Sequence, residues 1–355
     1  MQWLSKTSEP NPNPTVPIRG RDMTSITKYK GSSSGEIVQE TAPLPEPTED
    51  QVLLRITHTG ICGSDIHFRH ADMVLGHEAA GVVEKVGPWV REMNIGDRVG
   101  WGFEHGSCLR CQFCLTGEEQ YCPERQTYGN KGLDQGSFAT AAIWPEAFLF
   151  KIPDNITSAE AAPMMCAGAS VYGPLRRFNA KATQRVGVMG AGGLGHLAVQ
   201  FAAKMGCEVV VLSTSEKKAQ EARNMGATEF HVFAPGGGPP PTLKEPIDHL
   251  LVTSAKQPDW AMVAKIMANG GSIYCITITM GDLTFPYMSI IDKALHIQGS
   301  LPASRAMHRE MLWFAARHGI KPMLTTFPLT VDGINQAFDA LNEGKMRYRG
   351  VLVNE

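Results

Sequence analysis

Residues 186–195 are VGVMGAGGLG, a short apolar run followed directly by a glycine-rich turn. The apolar run is typical of a buried strand, and the residues from 194 to 205 have the periodicity of a helix. Glycines between a strand and a helix allow a tight turn and let the backbone approach a pyrophosphate at the helix N-terminus. The stretch therefore predicts a dinucleotide-binding βαβ unit and a parallel sheet. The predicted cofactor contacts in it are Gly190, Gly192, Gly193, Leu194 and Gly195.

The residues that follow continue the alternation of strand and helix. Glu208 to Leu212 is predicted to be a strand and residues 216–225 a helix. Further strands are predicted at Ile247 to Thr253, Ser272 to Ile278 and Leu295 to Gly299. Because every second element is a strand, this half of the chain is predicted to form a doubly wound parallel sheet.

The end of the second strand indicates which nicotinamide cofactor binds. NAD-binding chains place an acidic residue there, about 20 residues after the glycine turn, to hold the ribose 2'-hydroxyl. Here the strand ends in Ser213, Thr214 and Ser215, with Lys218 close behind. Hydroxyl and ammonium groups suit a 2'-phosphate, whereas a carboxylate would repel it, so NADP(H) is predicted. The alternative is a helix N-cap at Ser213 or Ser215 beside solvated lysines.

Length and composition indicate two globular domains. The chain has 355 residues, more than a single core usually supports, with 43% hydrophobic and 19% charged residues. The net charge of −2 offers no overall field for a polyanion, so nucleic acid and membrane surfaces are not expected as partners. No export signal or long apolar run is present, and a cytoplasmic location is expected. Residues 1–22, rich in proline, are expected to be a disordered extension.

The first half of the chain has a different pattern. Short β-rich runs separated by glycines, such as 52–56 and 81–87, predict a compact all-β core between residues 35 and 144. Four cysteines interrupt it within fifteen residues. Four thiolates can close a tetrahedral site around zinc, which predicts a structural metal centre. The alternatives to a structural metal centre are four free thiols or a nucleic-acid-binding zinc ribbon. Only two basic residues lie near the cysteines, and four glutamates there oppose binding to phosphate groups. The four ligands are Cys108, Cys111, Cys114 and Cys122.

A second set of metal ligands is dispersed along the chain. Two thiolates and an imidazole leave a fourth zinc position open for water or substrate, and Cys62, His77 and Cys166 supply those groups. Spacing alone does not unite them. Taken singly, Cys166 is more simply a buried structural cysteine and His77 a core histidine.

Together, these motifs resemble those of the zinc-containing medium-chain alcohol dehydrogenases, closest to the NADP-dependent cinnamyl-alcohol-dehydrogenase-like branch. The matching stretches are GICGSD at 60–65, GHE at 76–78, GDRV at 96–99, the four-cysteine segment, CAG at 166–168, the glycine turn and RYRG at 347–350. The resemblance implies an α/β two-domain fold: a GroES-like β-rich catalytic domain, residues 23–173 and 306–355, and a Rossmann NADP-binding domain, residues 174–305.

The resemblance also implies roles for individual residues. Cys62, His77 and Cys166 would hold a catalytic zinc, with Glu78 as an occasional ligand. Asp65 would orient His77, while Ser64 and His67 would relay a proton as hydride moves between NADPH and a carbonyl carbon at the zinc. Ser170 would contact the cofactor. Two zinc ions per chain, NADP(H), a small alcohol or aldehyde substrate and a homodimer are implied.

One departure from the family pattern concerns substrate specificity. Only fourteen residues separate Cys62 from His77, fewer than is usual in the family, where this segment forms one wall of the substrate cleft. A wider cleft that accepts bulky substrates is therefore predicted. Two other functions stay open at this point: a biosynthetic reductase of an activated C=C or C=N bond, and a non-catalytic NADP-binding zinc protein.

Overall fold

The structure is a computed structural model that describes residues 24–233, 240–279 and 281–354. The predicted extension at residues 1–22 lies outside the described residues. Two larger sheets and two small two-stranded sheets organise the rest. The strands are β1 Ser25–Lys30, β2 Val38–Pro43, β3 Gln51–Ile61, β4 Ala79–Val86, β5 Arg98–Trp101, β6 Glu104–Gly106, β7 Gln126–Thr127, β8 Ala141–Pro145, β9 Phe150–Lys151, β10 Arg185–Met189, β11 Glu208–Ser213, β12 Glu229–Val232, β13 Ile247–Val252, β14 Met267–Cys275, β15 His296–Gly299, β16 Leu324–Pro328 and β17 Arg349–Val353.

The helices lie mainly in the second half of the chain, with several short ones between the sheets. They are α1 Gly63–His67, α2 Gln112–Leu115, α3 Ser158–Pro163, α4 Ala169–Arg177, α5 Gly195–Lys204, α6 Ala219–Asn224, α7 Trp260–Ile266, α8 Tyr287–Lys293, α9 Arg305–His318 and α10 Val331–Asn342. Side chains cap several starts: Thr157 accepts from Glu160 N at α3, and Ser304 accepts from Met307 N at α9. The predicted helix over 216–225 is a single 3₁₀ turn, Glu216–Lys218, followed by α6.

The first large sheet has seven strands in the order β16-β17-β3-β4-β5-β9, with β8 also paired to β3. Apolar side chains of β3 and β4 pack into a core that contains Leu54, Val83 and Trp101. The C-terminal strand β17 runs antiparallel to β3, with Gly350 opposite Ile61. The last residues of the chain therefore join the sheet formed by its first half.

The second large sheet has six strands, all parallel, in the order β12-β11-β10-β13-β14-β15. All five residues of β10 are buried, as expected for a central parallel strand with helices on both faces. The strand order reverses between β10 and β13, which leaves a crevice at the carboxyl ends of these strands, where dinucleotides bind in such sheets. The predicted doubly wound sheet and β-rich domain are confirmed.

The predicted strand Ser272 to Ile278 differs from the observed one. β14 starts at Met267, directly after α7, and ends at Cys275. Met267 is buried and pairs with Ile247, which extends the strand backward. Beyond Cys275 the chain leaves the sheet, and Ile276 and Thr277 line a cleft instead.

Domain limits were predicted at 173/174 and 305/306. The strands of the second sheet all lie between residues 185 and 299, and those of the first sheet all lie outside that interval. The limits themselves stay a prediction. In the described part of the chain, no helix has the length and apolar character needed to cross a membrane.

Candidate active site

Three distant segments bring together the dispersed cysteines and histidine. Cys62 follows β3 and starts α1, His77 and Glu78 immediately precede β4, and Cys166 lies in a π-helical turn between α3 and α4. One ligand atom from each of these four residues lies within 4.8 Å of all the others. Two sulfurs and an imidazole nitrogen at this spacing fit a zinc ion with one open coordination position.

Asp65 connects two members of this cluster. Its Oδ2 accepts a hydrogen bond from the Cys62 backbone N–H at 2.9 Å, and its Oδ1 lies 3.0 Å from His77 Nδ1. The carboxylate is fully buried and paired with no other cation. Burial alone lowers the pKa of His77, but the nearby Asp65 carboxylate and Cys62 thiolate outweigh it and raise that pKa. Asp65 thus contacts one nitrogen of the imidazole and the backbone of Cys62 at the same time.

The two sulfurs of the cluster influence each other. The pKa of Cys62 is lowered, chiefly by its hydrogen bond with Cys166 and also by His77, while the same contact raises the pKa of Cys166. The two thiols therefore titrate as a pair, in which the first proton lost leaves a thiolate stabilised by the other thiol. A thiolate beside an imidazole and a buried cation is the form that binds a metal.

Glu78 has a partner that the sequence did not suggest. Arg349, at the start of β17, donates to both carboxylate oxygens of Glu78 inside the protein. Burial acts to raise the pKa of Glu78, whereas the Arg349 guanidinium in direct contact with it acts to lower that pKa. The side chain is therefore satisfied by Arg349, and any metal contact that it makes requires this ion pair to rearrange.

The four-cysteine segment forms a second cluster. The sulfurs of Cys108, Cys111, Cys114 and Cys122 all lie within 4.8 Å of one another. Backbone N–H groups point at them: Cys111 N lies 3.3 Å from Cys108 Sγ, and Glu124 N lies 3.3 Å from Cys122 Sγ. N–H donors to sulfur stabilise thiolates, so the segment fits a closed four-sulfur zinc site. We call residues 108–122 the cysteine lobe.

A cleft of about 270 Å³ opens beside Cys62, His77 and Cys166. Ser64 is half-buried with its Oγ 3.8 Å from Cys62 Sγ, and His67, at the end of α1, is exposed. A hydroxyl near the sulfurs and an imidazole at the surface suit transfer of a proton between the cleft and solvent. Both residues line the cleft, as do Phe103, Ser170, Gly193, Leu194, Ile276, Thr277, Ser300, Leu301, Pro302, Tyr348 and Arg349.

A second cavity, of about 410 Å³, lies at the carboxyl ends of β10, β11 and β13. Gly190 has a φ of 108°, and a Cβ at Gly195 would overlap the carbonyl of Gly190, so both positions require glycine. Residues from all three strand ends line this cavity: Gly190, Gly192, Gly193, Ser213, Thr214, Ser215, Lys218, Thr253 and Lys256. Gly193 borders both cavities, so a bound dinucleotide could run continuously from one to the other.

Lys218 has contacts of its own at this cavity. Its Nζ donates to the carbonyl of Ala191 at 2.8 Å and lies 4.9 Å above the ring of Tyr348. Burial lowers the pKa of the lysine. The ammonium group therefore lies against the glycine turn, in the same cavity as Ser213 at the end of β11 and the two hydroxyl residues that follow it.

Several large side chains lie away from the cleft lining. Trp101 is fully buried in the core of the first sheet, Met288 is exposed on α8, and Tyr121 is in the cysteine lobe. Arg69 donates to the Gly35 carbonyl and to Asn335 Oδ1. The cleft residues that sequence reasoning missed include Arg349 and residues 300–302. The motif at 347–350 was the one signal that pointed towards Arg349.

Comparisons with known proteins agree with this geometry. A family model described as the alcohol dehydrogenase GroES-like domain matches residues 48–154, and one described as a zinc-binding dehydrogenase matches residues 193–317. The probable formaldehyde dehydrogenase AdhA of Bacillus subtilis is 36% identical over 315 residues, covering 85% of this chain and 89% of that protein. The NADP-dependent alcohol dehydrogenase C of Mycobacterium tuberculosis is 34% identical over 347 residues, covering 93% and 99%.

A solved structure extends the likeness to three dimensions. The cinnamyl alcohol dehydrogenase SbCAD4 of Sorghum bicolor superposes with a TM-score of 0.84 at 27% identity, covering 93% of this chain and 97% of the other. Fold, cysteine clusters and relatives therefore agree: this chain belongs to the zinc-containing medium-chain alcohol dehydrogenases, in the cinnamyl-alcohol-dehydrogenase-like branch.

Proposed function

We propose that this protein is a zinc-dependent alcohol dehydrogenase and aldehyde reductase that uses NADP(H). The observation that supports it most strongly is that Cys62, His77 and Cys166 converge beside a cleft that continues into the cavity of the glycine turn. A hydride can pass only between groups held in contact, and this arrangement places the metal ligands and the cofactor-binding turn on the same cleft.

The chain's own residues divide the work at the cleft. Cys62, His77 and Cys166 would hold the catalytic zinc, with Glu78 close by, and Cys108, Cys111, Cys114 and Cys122 would hold the structural zinc. When bound, zinc supplies Lewis-acid polarisation of a substrate oxygen, and NADPH supplies the hydride. Arg349 keeps the Glu78 carboxylate neutralised beside the sulfurs.

Proton transfer is assigned to α1. In the reductive direction, we propose that Ser64 gives its hydroxyl proton to the substrate oxygen and recovers one from His67, which is exposed to solvent. Asp65 does not take part in this transfer, because it is fully buried and engaged with His77 and Cys62 N. Its proposed role is to fix the orientation of the imidazole.

The cofactor assignment follows from the second cavity. Ser213, Thr214 and Ser215 offer hydroxyl groups, Lys218 an ammonium group, and no carboxylate of the described chain lines this cavity. We assign the 2'-phosphate of NADP(H) to these four residues and the pyrophosphate to the turn from Gly190 to Gly195. Ser170 and Leu194 line the cleft where the two cavities meet and are assigned to the nicotinamide end.

Ser213→Asp tests the cofactor assignment. A carboxylate at the end of β11 would accept the 2'-hydroxyl of NADH and repel a 2'-phosphate. We expect the ratio of kcat/KM for NADPH over NADH to fall by about tenfold or more, equivalent to at least about 1.4 kcal/mol. Equal ratios for the variant and the wild-type enzyme would contradict the phosphate-site assignment, and Ser213→Asn is the control that changes the same side chain without adding a charge.

The cleft supports a preference for bulky aldehydes. Among the described residues 68–76, none lines the cleft, because this short segment packs against β1, with Gly31 N bonded to Met73 O and a bridge between Lys30 and Val74. The wall that a longer segment would build is therefore absent from this side. Activity confined to substrates of the size of ethanol would contradict this preference.

We also propose that the enzyme is a cytoplasmic homodimer. The outer edge of β15 pairs with no strand of the described chain, and α8 beside it exposes Tyr287, Met288 and Ile291. An unpaired edge next to exposed apolar side chains is a common site of self-association. All eight cysteines are free thiols, which suits a reducing compartment.

The decisive experiment is NADPH oxidation by the purified, zinc-replete protein with aromatic and aliphatic aldehydes. Parallel samples receive NADH or are stripped of metal with a chelator. We expect rapid turnover that prefers NADPH and disappears on metal removal. Tight NADPH binding without turnover of any aldehyde would contradict the proposal and favour a reductase of C=C or C=N bonds, or a non-catalytic role.

A further inference from the structure

The segment of the cysteine lobe between Cys114 and Cys122 has side chains that point into the interior of the protein. Glu119 is only 1% exposed and Gln120 is also buried, although they belong to a lobe whose other side exposes Leu115. A carboxylate is rarely buried unless it is paired, because leaving water costs it several kcal/mol. The buried Glu119 carboxylate is therefore expected to be paired with a specific group.

That partner is the start of α9. Glu119 Oε1 accepts from the backbone N–H of Arg305 at 2.5 Å and from Arg305 Nε at 3.1 Å. Arg305 is the first residue of this 14-residue helix, whose first N–H groups have no partner within the helix. A carboxylate at this end also complements the positive pole of the helix. Glu119 thus fixes where α9 begins.

Tyr121, two residues later, holds the chain just before α9. Its hydroxyl oxygen accepts from Leu301 N at 3.3 Å and from Arg177 Nη1 at 2.9 Å. The Arg177 guanidinium also lies 4.7 Å above the Tyr121 ring and donates to Glu118 at 2.7 Å. The contacts with Arg177 therefore fix the position of the Tyr121 hydroxyl that accepts from Leu301 N.

The segment between these two anchors, residues 300–304, joins β15 to α9, and its Ser300, Leu301 and Pro302 line the substrate cleft. The lobe thus holds one wall of the cleft by contacts at Leu301 and at Arg305. Both anchoring residues lie between Cys114 and Cys122 of the four-cysteine cluster, and Cys122 N donates to the carbonyl of Glu119 at 2.8 Å.

We propose that Glu119 and Tyr121 are positioning residues that set the width of the substrate cleft through residues 300–304. This rests on the proposed function, because it assumes that the aldehyde occupies the cleft. Neither residue contacts the reacting atoms. Loosening either anchor changes how well substrates of different size fit, and so acts on KM and on selectivity more than on the hydride-transfer step.

The test compares four variants of the zinc-loaded enzyme. Tyr121→Phe removes the hydroxyl that accepts from Leu301 N and from Arg177 Nη1. Glu119→Ala removes the anchor of α9, and Glu119→Gln keeps an oxygen acceptor there. Glu124→Gln is the matched control, because this exposed side chain lies two residues beyond the lobe and, among the described residues, pairs with Arg110. The zinc content of each variant is measured first, so that any effect of a lost lobe metal is recognised.

Two readouts follow. The first is kcat and KM for cinnamaldehyde and for acetaldehyde; the second is amide hydrogen exchange of residues 299–308, which does not depend on turnover. We expect Tyr121→Phe and Glu119→Ala to change the ratio of the two kcat/KM values by roughly three- to tenfold, mainly through KM, and to speed exchange in this segment. Glu119→Gln should recover most of the effect, and Glu124→Gln should change neither readout.

Unchanged exchange and an unchanged substrate ratio in Tyr121→Phe and Glu119→Ala would overturn the proposal. So would an equal effect in Glu124→Gln. If no variant and no wild-type sample reduces an aldehyde, the proposed function fails; faster exchange would then still support the anchors, and unchanged exchange would overturn them.

Discussion

The two cysteine clusters of this chain contain the same kind of ligand but are assembled differently. The lobe contains four cysteines within fifteen consecutive residues, and two of the four cysteines are partly accessible. Backbone N–H groups surround their sulfurs. The cluster at the cleft takes its groups from three segments that span residues 62 to 166 and surrounds them with the buried charges of Asp65, Glu78 and Arg349. The local cluster is closed, whereas the dispersed one faces a cavity.

This difference shows how one type of ligand serves two purposes. Four sulfurs saturate a tetrahedral metal, which can then only stabilise the fold around it. Two sulfurs and one imidazole leave a position open, and the buried charges around them control that position. We therefore expect substitutions of the cleft ligands to abolish activity, and substitutions of the lobe cysteines to lower the stability of the folded protein.

The largest effect is expected from Cys166→Ser. Loss of one sulfur from the open cluster should lower kcat/KM for aldehyde reduction by at least about 1000-fold, since the metal supplies several kcal/mol of transition-state stabilisation. Metal analysis should give one zinc per chain instead of two. Cys275→Ser, a change at a half-buried cysteine outside both clusters, is the control. Retention of both zinc ions and of activity in Cys166→Ser would break the distinction between the clusters.

Cys111→Ser makes the converse test in the lobe. Loss of the closed site should destabilise the protein by several kcal/mol and lower its Tm by about 10 °C. Turnover of the molecules that stay folded should remain within about tenfold of wild type at 25 °C, because no lobe sulfur lines the cleft. Differential scanning calorimetry and single-turnover kinetics check the two parts. An unchanged Tm, or a loss of activity as large as that of Cys166→Ser, is incompatible with the comparison.

Asp65→Asn sharpens the comparison, because only the cleft cluster has a buried carboxylate bonded to its histidine. Removal of this charge should accelerate zinc loss to a chelator and lower kcat/KM, each by about 10- to 100-fold. The lobe zinc should be unaffected. Asp72→Asn, which removes an exposed carboxylate paired with Lys30, should change neither quantity. Equal behaviour of the two variants would show that Asp65 has no role in orienting His77.

The smallest expected effect is a decrease of the unfolding free energy at acidic pH. A variant of His196 distinguishes it from the loss of metal. Burial, assisted by the nearby Arg349, lowers the pKa of His196 to about 3 in the folded protein, against an ordinary value near 6.5. Above pH 6.5 the residue is neutral in both states and has no effect. Below it, only the unfolded chain binds the proton, so stability falls as the pH drops from 6.5 towards 3.

Between pH 7 and pH 5 this contribution is about 2 kcal/mol. His196→Gln keeps an acceptor for Met323 N and should flatten the pH dependence of the unfolding free energy by that amount. Both proteins lose metal alike as the pH falls, so the difference between their urea midpoints isolates His196. Parallel pH profiles would exclude this assignment.

Sequence patterns predicted the cofactor-binding sheet well but missed elements without a buried face. β10, β11 and β13 were predicted to within a residue or two, because central parallel strands are continuous apolar runs. The helix α8 was not predicted, since none of its seven residues is buried and no apolar period marks it. β16 was missed for a related reason, because its residues are all exposed or half-buried.

At the candidate site, spacing identified the lobe, whereas only the family resemblance united Cys62, His77 and Cys166. Four cysteines within fifteen residues can be recognised locally, but ligands from three segments depend on how the strands pair. The ion pair of Arg349 with Glu78 joins residues 271 positions apart and has no local signature. Long-range pairing of buried charges is therefore what sequence reasoning could not reach here.

The pairing of β17 with β3 has a consequence for the order of events during synthesis. The lobe is complete once residue 122 has left the ribosome, so it can take up metal while most of the second sheet has not been made. The cleft cluster gains its last sulfur at residue 166, but Glu78 stays without its counter-ion until Arg349 has been synthesised. The four-cysteine segment is thus complete before the second sheet is made, whereas the ion pair beside the cleft cluster can form only after that sheet has been made.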